Sequence, residues 1–186
     1  MRKFFTLSAL VVIMDLRTRV TIYFVVLGIA LLITFIGSTI PVSPSYGQLV
    51  ESQVNQTVSS SGGVVSLATS IAGHNFFLSL FMLIPFVGPL IGMGILYNTG
   101  FAISAIGAFR GISGSFLLAA ETPLPFFWLE FFSYAAMMTE SIALTYAILK
   151  GEGWKEARFA VQIVGLVAIA LVLGGIIEAS LISIGV

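Results

Sequence analysis

Two long uncharged runs constrain this chain more than any other feature. Residues 20–40 and 75–109 contain no Asp, Glu, Lys or Arg. A helix needs about 20 apolar residues to cross a hydrocarbon core of about 30 Å, so the first run suits one span and the second suits two short ones. Charged residues make up 9% of the chain and mean hydropathy is +1.10, whereas soluble domains carry about 25% charged residues. The sequence therefore predicts an all-α, polytopic membrane helix bundle with the lipid bilayer as its surroundings.

Breaks in the apolar pattern predict about five transmembrane helices in a single membrane domain. Pro85, Gly88 and Pro89 interrupt the second run and favour a tight hairpin, with one long kinked helix as the alternative. The apolar stripe beside Arg2 and Lys3 predicts an N-terminal interfacial helix, with a disordered tail as the alternative. The predicted elements are an interfacial helix at 1–16, spans at about 20–40, 75–88, 91–109, 126–149 and 159–184, and an external loop at 41–73.

The positive charges predict the orientation. With a cytoplasmic N-terminus, seven of the eight Lys and Arg residues lie inside and only Arg110 lies outside, as the positive-inside rule requires. This places the protein in the cell membrane with its C-terminus outside. Asn55 begins an N-glycosylation sequon, Asn-Gln-Thr, which agrees with an external loop at 41–73.

The few ionisable side chains of the spans, together with Asn75 and Asn98, form two predicted groups. Counted along the helices, five polar side chains share one outer-leaflet layer, while Asn98 and Glu140 lie near mid-membrane. An intramembrane carboxylate costs about 2.5–3.5 kcal/mol on insertion scales, so it is paired, neutral or directed into a cavity. Two interpretations stay open: a polar site for an ion, a proton or a partner, or side chains that tie helices together. The outer-leaflet layer consists of His74, Asn75, Arg110, Glu130 and Glu178.

Small residues recur along the third span at spacings that let helices approach closely. We interpret them as packing positions rather than as a site. They are Gly88, Gly92, Gly100 and Gly107.

The motifs of several enzyme classes do not occur in the sequence. It has no cysteine, which excludes disulfides, thiolate nucleophiles and Cys-type zinc sites. HExxH, GxSxG and a Gly-rich phosphate loop are also missing. A net charge of zero gives no reason to expect a nucleic-acid partner. We therefore predict no catalytic residue, no cofactor and no metal site.

At residues 74–184 the pattern resembles the stage II sporulation protein M family of five-span membrane proteins. The segments concerned are "HNFF", "GMGILYNTGFAISAIG", "LPFFWLEFFSYAA" and "LVLGGIIEASLIS". The chain departs from the family at His74, which replaces a first asparagine, at Thr99, which separates Asn98 from Gly100, and at Phe126 and Phe127, where a histidine-containing pair is common. The matching positions are Asn75, Asn98, Gly100, Gly107, Pro125, Glu130 and Glu178.

The resemblance implies a non-enzymatic protein that works within a membrane complex. Sporulation members act in a complex that governs cell-wall remodelling during engulfment, but that role is not carried over to this chain. The first hypothesis is therefore a subunit or scaffold with membrane protein partners or copies of itself. The second is a small transporter or channel that uses the intramembrane glutamates. A membrane enzyme or metal-bearing subunit using His74 ranks last.

Overall fold

The computed structural model describes residues 14–184, and over that range the chain is entirely helical apart from short connections. The predicted interfacial helix at 1–16 lies almost wholly outside these residues. The seven described helices are α1 (Leu16–Ser38), α2 (Pro44–Ser60), α3 (Val64–Met82), α4 (Gly88–Arg110), α5 (Gly114–Glu121), α6 (Pro125–Leu149) and α7 (Gly153–Ser183).

Four of the helices described in residues 14–184 are long and apolar enough to cross a bilayer: α1, α3, α4 and α7. The protein is thus a helical membrane protein of the polytopic class. The long helix α6 falls outside this group because polar side chains, including Glu130 and Glu140, lower its hydropathy. Thirteen of its 25 residues are nevertheless buried, and it packs against α1, α3, α4 and α7. The polar side chains of α6 are therefore carried by a helix with four helical neighbours.

Local sequence signals account for where α1 begins. The Asp15 carboxylate accepts hydrogen bonds from the backbone N–H and the hydroxyl of Thr18, the usual role of an N-cap residue. The Thr18 amide holds the pKa of this exposed carboxyl below its ordinary value. The helix starts at Leu16, four residues before the predicted span, because the cap lies in the polar segment.

The segment predicted as an external loop, 41–73, is helical over most of its length. Ser43 caps α2 with Pro44 in its first turn, and the first ten residues of α3 also belong to this stretch. The second long helix therefore begins at Val64 and not at residue 75. A polar sequence does not exclude a helix where a neighbouring element covers one of its faces, and α2 packs on α4.

The break between α3 and α4 consists of residues 83–87, slightly earlier than the predicted hairpin. The backbone there is held by α6: Ser141 donates to the Ile84 carbonyl at 2.6 Å, and Thr145 accepts from the Phe86 amide at 2.7 Å. Phe86 has a φ of 70°, uncommon for a bulky residue. The two hydroxyls satisfy backbone groups that the turn leaves without helical partners.

Close backbone approaches join α4 to its neighbours. A Cβ atom at Gly100 would overlap the Thr34 carbonyl of α1, and one at Gly107 would press on the backbone of residues 112–114. A Cβ atom at Gly88 would overlap the Met82 carbonyl, whereas one at Gly92 would meet the side chains of Met138 and Met82. All four glycines predicted for helix packing are therefore buried at contacts.

Candidate functional site

A cavity of about 450 Å³ lies between α2, α3, α6 and α7, and we call it the acidic cavity. Its ionisable and amide side chains come from His74 and Asn75 of α3, Glu130 of α6 and Glu178 of α7. The rest of the wall is mostly apolar and includes Val58, Leu67, Ile71 and Ile182. Four of the five residues of the predicted outer-leaflet layer thus meet around one space.

Chain geometry explains this convergence. Glu130 lies five residues after α6 begins, and Glu178 lies five residues before α7 ends. The two helices are antiparallel neighbours joined by a short turn, so both carboxylates lie at the same end of the bundle. His74 and Asn75 sit near the middle of α3, not at its end as predicted, because α3 starts at Val64.

The two carboxylates have different partners. The Asn75 side-chain amide donates a hydrogen bond to Oε1 of Glu130. Oε2 of Glu178 is buried and has no hydrogen-bond partner among the described residues. A buried acceptor without a donor costs about 1–3 kcal/mol, so this oxygen is the least satisfied atom of the cavity.

A third acidic residue lies within electrostatic range of the first two. Glu121, the last residue of α5, interacts electrostatically with both Glu130 and Glu178. Burial raises the pKa of Glu121 above its ordinary value. Within residues 14–184 no Lys or Arg side chain forms an ion pair with any of these three glutamates.

Arg110, the fifth residue of the predicted layer, does not line the acidic cavity. Its guanidinium pairs with Glu51 of α2, with Nη2 2.8 Å from Oε1 and Nε 3.1 Å from Oε2. The prediction missed this pair because it treated the segment containing Glu51 as a loop. The helical conformation of α2 brings Glu51 to the end of α4.

Glu140, which the sequence groups only with Asn98 near mid-membrane, is paired with a buried arginine. Arg19 of α1 forms buried ion pairs with Glu140 of α6 and Glu156 of α7. The guanidinium also lies over the Phe159 ring, 4.4 Å from its centroid. We call Arg19, Glu140 and Glu156 the buried triad. It joins three helices at the end of the bundle opposite the acidic cavity.

Asn98 has surroundings unlike those of Glu140, although both were predicted as mid-membrane polar groups. It lies ten residues after α4 begins and twelve before it ends. Its side chain is exposed on the outer surface of the bundle and has no hydrogen-bond partner among the described residues. Leu90 and Gly94, at helical spacing from it, are exposed on the same face.

Two further surface features are the predicted glycosylation residue and an apolar groove. Asn55 is exposed on α2, close to the wall of the acidic cavity. A groove of about 550 Å³ between α3 and α7 is larger than the acidic cavity, but its lining is almost entirely apolar, with residues such as Ala68, Ala72 and Val172. The groove therefore offers lipid-like contacts and no polar chemistry.

Across residues 14–184, no group of three or more His, Cys, Asp or Glu side chains is placed to hold a metal ion. Searches of protein-family models, curated proteins and solved structures find no match to this chain.

The sequence identified buried polar residues more often than it identified the residues that pair with them. Arg19 enters the sequence analysis only as one of the seven inner positive charges, and neither Glu121 nor Glu156 is among its candidate site residues. The signal for Arg19 was available, because the Asp15 cap puts this residue in the first turn of a helix and not in a polar tail. No sequence signal identified α2 as a wall of the acidic cavity.

Proposed function

We propose that this protein is a non-enzymatic, five-span membrane protein that acts as a subunit or scaffold of a larger membrane assembly. The observation that carries this proposal is the exposed Asn98 amide at the midpoint of α4. A polar side chain facing lipid costs free energy that a hydrogen bond to another helix recovers. A face with Leu90, Gly94 and Asn98 suits such a helix, because the small residue permits close approach.

The fifth span in this proposal is α6. At 1.5 Å per residue its 25 residues extend about 37 Å, which exceeds the hydrocarbon thickness. Arg19 pairs with the second half of α6, so α6 runs antiparallel to α1. Burial between neighbouring helices keeps its polar side chains away from lipid. The positive-inside rule then supports a cytoplasmic N-terminus and an external C-terminus.

The resemblance to the stage II sporulation protein M family supports the same class of role. Asn98 and Gly100 are among the residues on which that resemblance rests. In the structure Gly100 packs inward against α1 and Asn98 points outward. One face of α4 thus serves the fold and the opposite face is available for assembly.

The proposal is tested by isolating the tagged protein in native nanodiscs and measuring its mass and composition. The wild type should retain a stoichiometric protein partner or form a homo-oligomer. Replacing Asn98→Leu should weaken that assembly about three- to thirty-fold, the range expected for one interhelical hydrogen bond in a membrane.

Thr99→Val is the matched control. Thr99 is the exposed neighbour of Asn98, but its hydroxyl already donates to the Ile95 carbonyl at 3.1 Å, so this variant should assemble normally. A wild-type protein that is a lone monomer at all concentrations would refute the proposal.

A second candidate is ion or proton transport. The observation in its favour is that α6 carries a glutamate of the acidic cavity and one of the buried triad. Between them, however, α6 presents Tyr134, Met137 and Met138, all of which are buried in the core. A closed core separates the two polar groups, so this structure has a one-sided cavity. Flux of protons or monovalent cations into vesicles containing the purified protein would favour transport.

A further inference from the structure

We propose that the acidic cavity binds an organic cation: an ammonium or guanidinium group carried on an apolar stem. This inference concerns a different part of the molecule from the Asn98 face and stands independently of the assembly proposed above. Its basis is the combination of a cavity, a cluster of carboxyl groups that pair with no Lys or Arg among the described residues, and apolar walls.

The acidic groups of the site favour a positively charged ligand. Glu121, Glu130 and Glu178 interact with one another, and His74 is the basic side chain that lines the cavity. Asn75 donates to Glu130, which leaves the buried Oε2 of Glu178 without a donor. A charge-assisted hydrogen bond from a cation would satisfy this oxygen and offset the repulsion between the carboxylates.

The size and walls of the site favour an organic cation over a metal ion. Small-molecule sites occupy about 300–1,000 Å³, and this cavity of about 450 Å³ is far larger than one ion. No trio of metal-ligating side chains is arranged around it within residues 14–184. Val58, Leu67, Ile71 and Ile182 instead provide an apolar surface that an alkyl stem would cover, which removes apolar area from water.

Two sources share this chemistry, a free small amine and a basic side chain of a bound peptide. Helix α2 forms one wall of the cavity. It is joined to α3 through Gly62 and Gly63, whose positive φ angles of 70° and 137° are conformations that glycine adopts readily. The cavity is therefore bounded by a surface helix as well as by long apolar helices, and either source can approach it from the aqueous side.

The test uses full-length protein in nanodiscs of zwitterionic phosphatidylcholine. Binding of n-butylammonium is measured by saturation-transfer NMR, with n-butanol as the neutral analogue of similar shape. The wild type should bind the amine saturably and should not bind the alcohol. This comparison needs no variant. Absence of saturable amine binding, or equal binding of amine and alcohol, would overturn the inference.

Variants then locate the site. Glu178→Gln should weaken n-butylammonium binding about tenfold or more, which corresponds to about 1.4 kcal/mol. Glu51→Gln is the matched control, because this carboxylate pairs with Arg110 outside the cavity, and it should bind like the wild type. Equal binding by wild type and Glu178→Gln would contradict the assignment.

Two further arms identify the source and exclude an inorganic ion. A short amidated Leu-Lys-Leu peptide that competes with n-butylammonium would indicate a basic side chain, while amine binding without peptide competition would indicate a small amine. Sodium or calcium that displaces the amine at lower concentration than the amine itself requires would show that the site prefers an inorganic cation and would refute the inference. None of these readouts depends on the oligomeric state.

Discussion

Arg19 shows how one side chain can hold three helices together. Its buried guanidinium pairs with Glu140 and Glu156, and it also lies over Phe159. A buried ion pair adds little net stability compared with well-packed apolar residues, but removing one partner leaves uncompensated charge in the interior. The triad therefore makes the register of α1, α6 and α7 depend on a single residue.

Replacing Arg19→Met should lower the free energy of unfolding by about 3–5 kcal/mol, the cost of breaking a buried pair from one side. Reversible unfolding in mixed micelles with increasing denaturing detergent measures this change. Arg17→Met is the control because Arg17 is exposed on the same helix, and it should change stability by no more than about 0.5 kcal/mol. Similar losses in both variants would mean that the triad has no special structural role.

Among the elements, α4 depends most clearly on close packing. Gly37 of α1 and Gly100 of α4 bring the two backbones into direct contact, and Gly47 of α2 meets the Ala105 carbonyl from another side. Without an aqueous driving force between helices in lipid, this close fit supplies much of the attraction. The position of α4 therefore depends on residues too small to prevent backbone contact.

Gly100→Ala should destabilise the bundle by about 1–3 kcal/mol, because the new Cβ atom would meet the rigid backbone of α1 and not a flexible side chain. Gly94→Ala on the same helix has no atom within 4 Å of the added Cβ and should leave the unfolding midpoint unchanged or slightly raised. The same micelle unfolding assay compares them. Equal midpoints for the two variants would show that the close α1–α4 contact at Gly100 does not contribute to stability.

For the whole molecule, the arrangement of helices separates two polar regions at opposite ends. The buried triad lies at the end where α1 and α7 begin, while the acidic cavity, α2 and α5 lie at the other end. In the proposed orientation the triad is near the cytoplasm and the cavity is accessible from outside. This arrangement depends on α6 crossing the bilayer.

Cysteine labelling tests that topology cleanly because the chain contains no cysteine. In intact cells, a membrane-impermeant maleimide should label Ser52→Cys on α2 and Ala120→Cys on α5 from outside. Lys150→Cys, in the turn after α6, should react only after the membrane is opened. All three residues are exposed. Labelling of Ala120→Cys and Lys150→Cys from the same side would show that α6 does not cross.

The sequence by itself determined the all-helical membrane class and most of the long helices, because these depend on local properties. Uncharged runs and the prolines around residues 85–89 act over a few turns of chain. It also grouped His74, Asn75, Glu130 and Glu178 with Arg110 by counting residues along the helices, and the first four line one cavity.

Only the tertiary structure decided which of those groups are partners. It paired Glu140 with Arg19, which are 121 residues apart in the chain, and Arg110 with Glu51, and it turned a polar segment into a helix that forms a wall of the acidic cavity. Such contacts depend on how helices rotate and pack against one another. Depth follows from counting residues in one helix, whereas side-chain partnership requires the orientation of two or three helices at once.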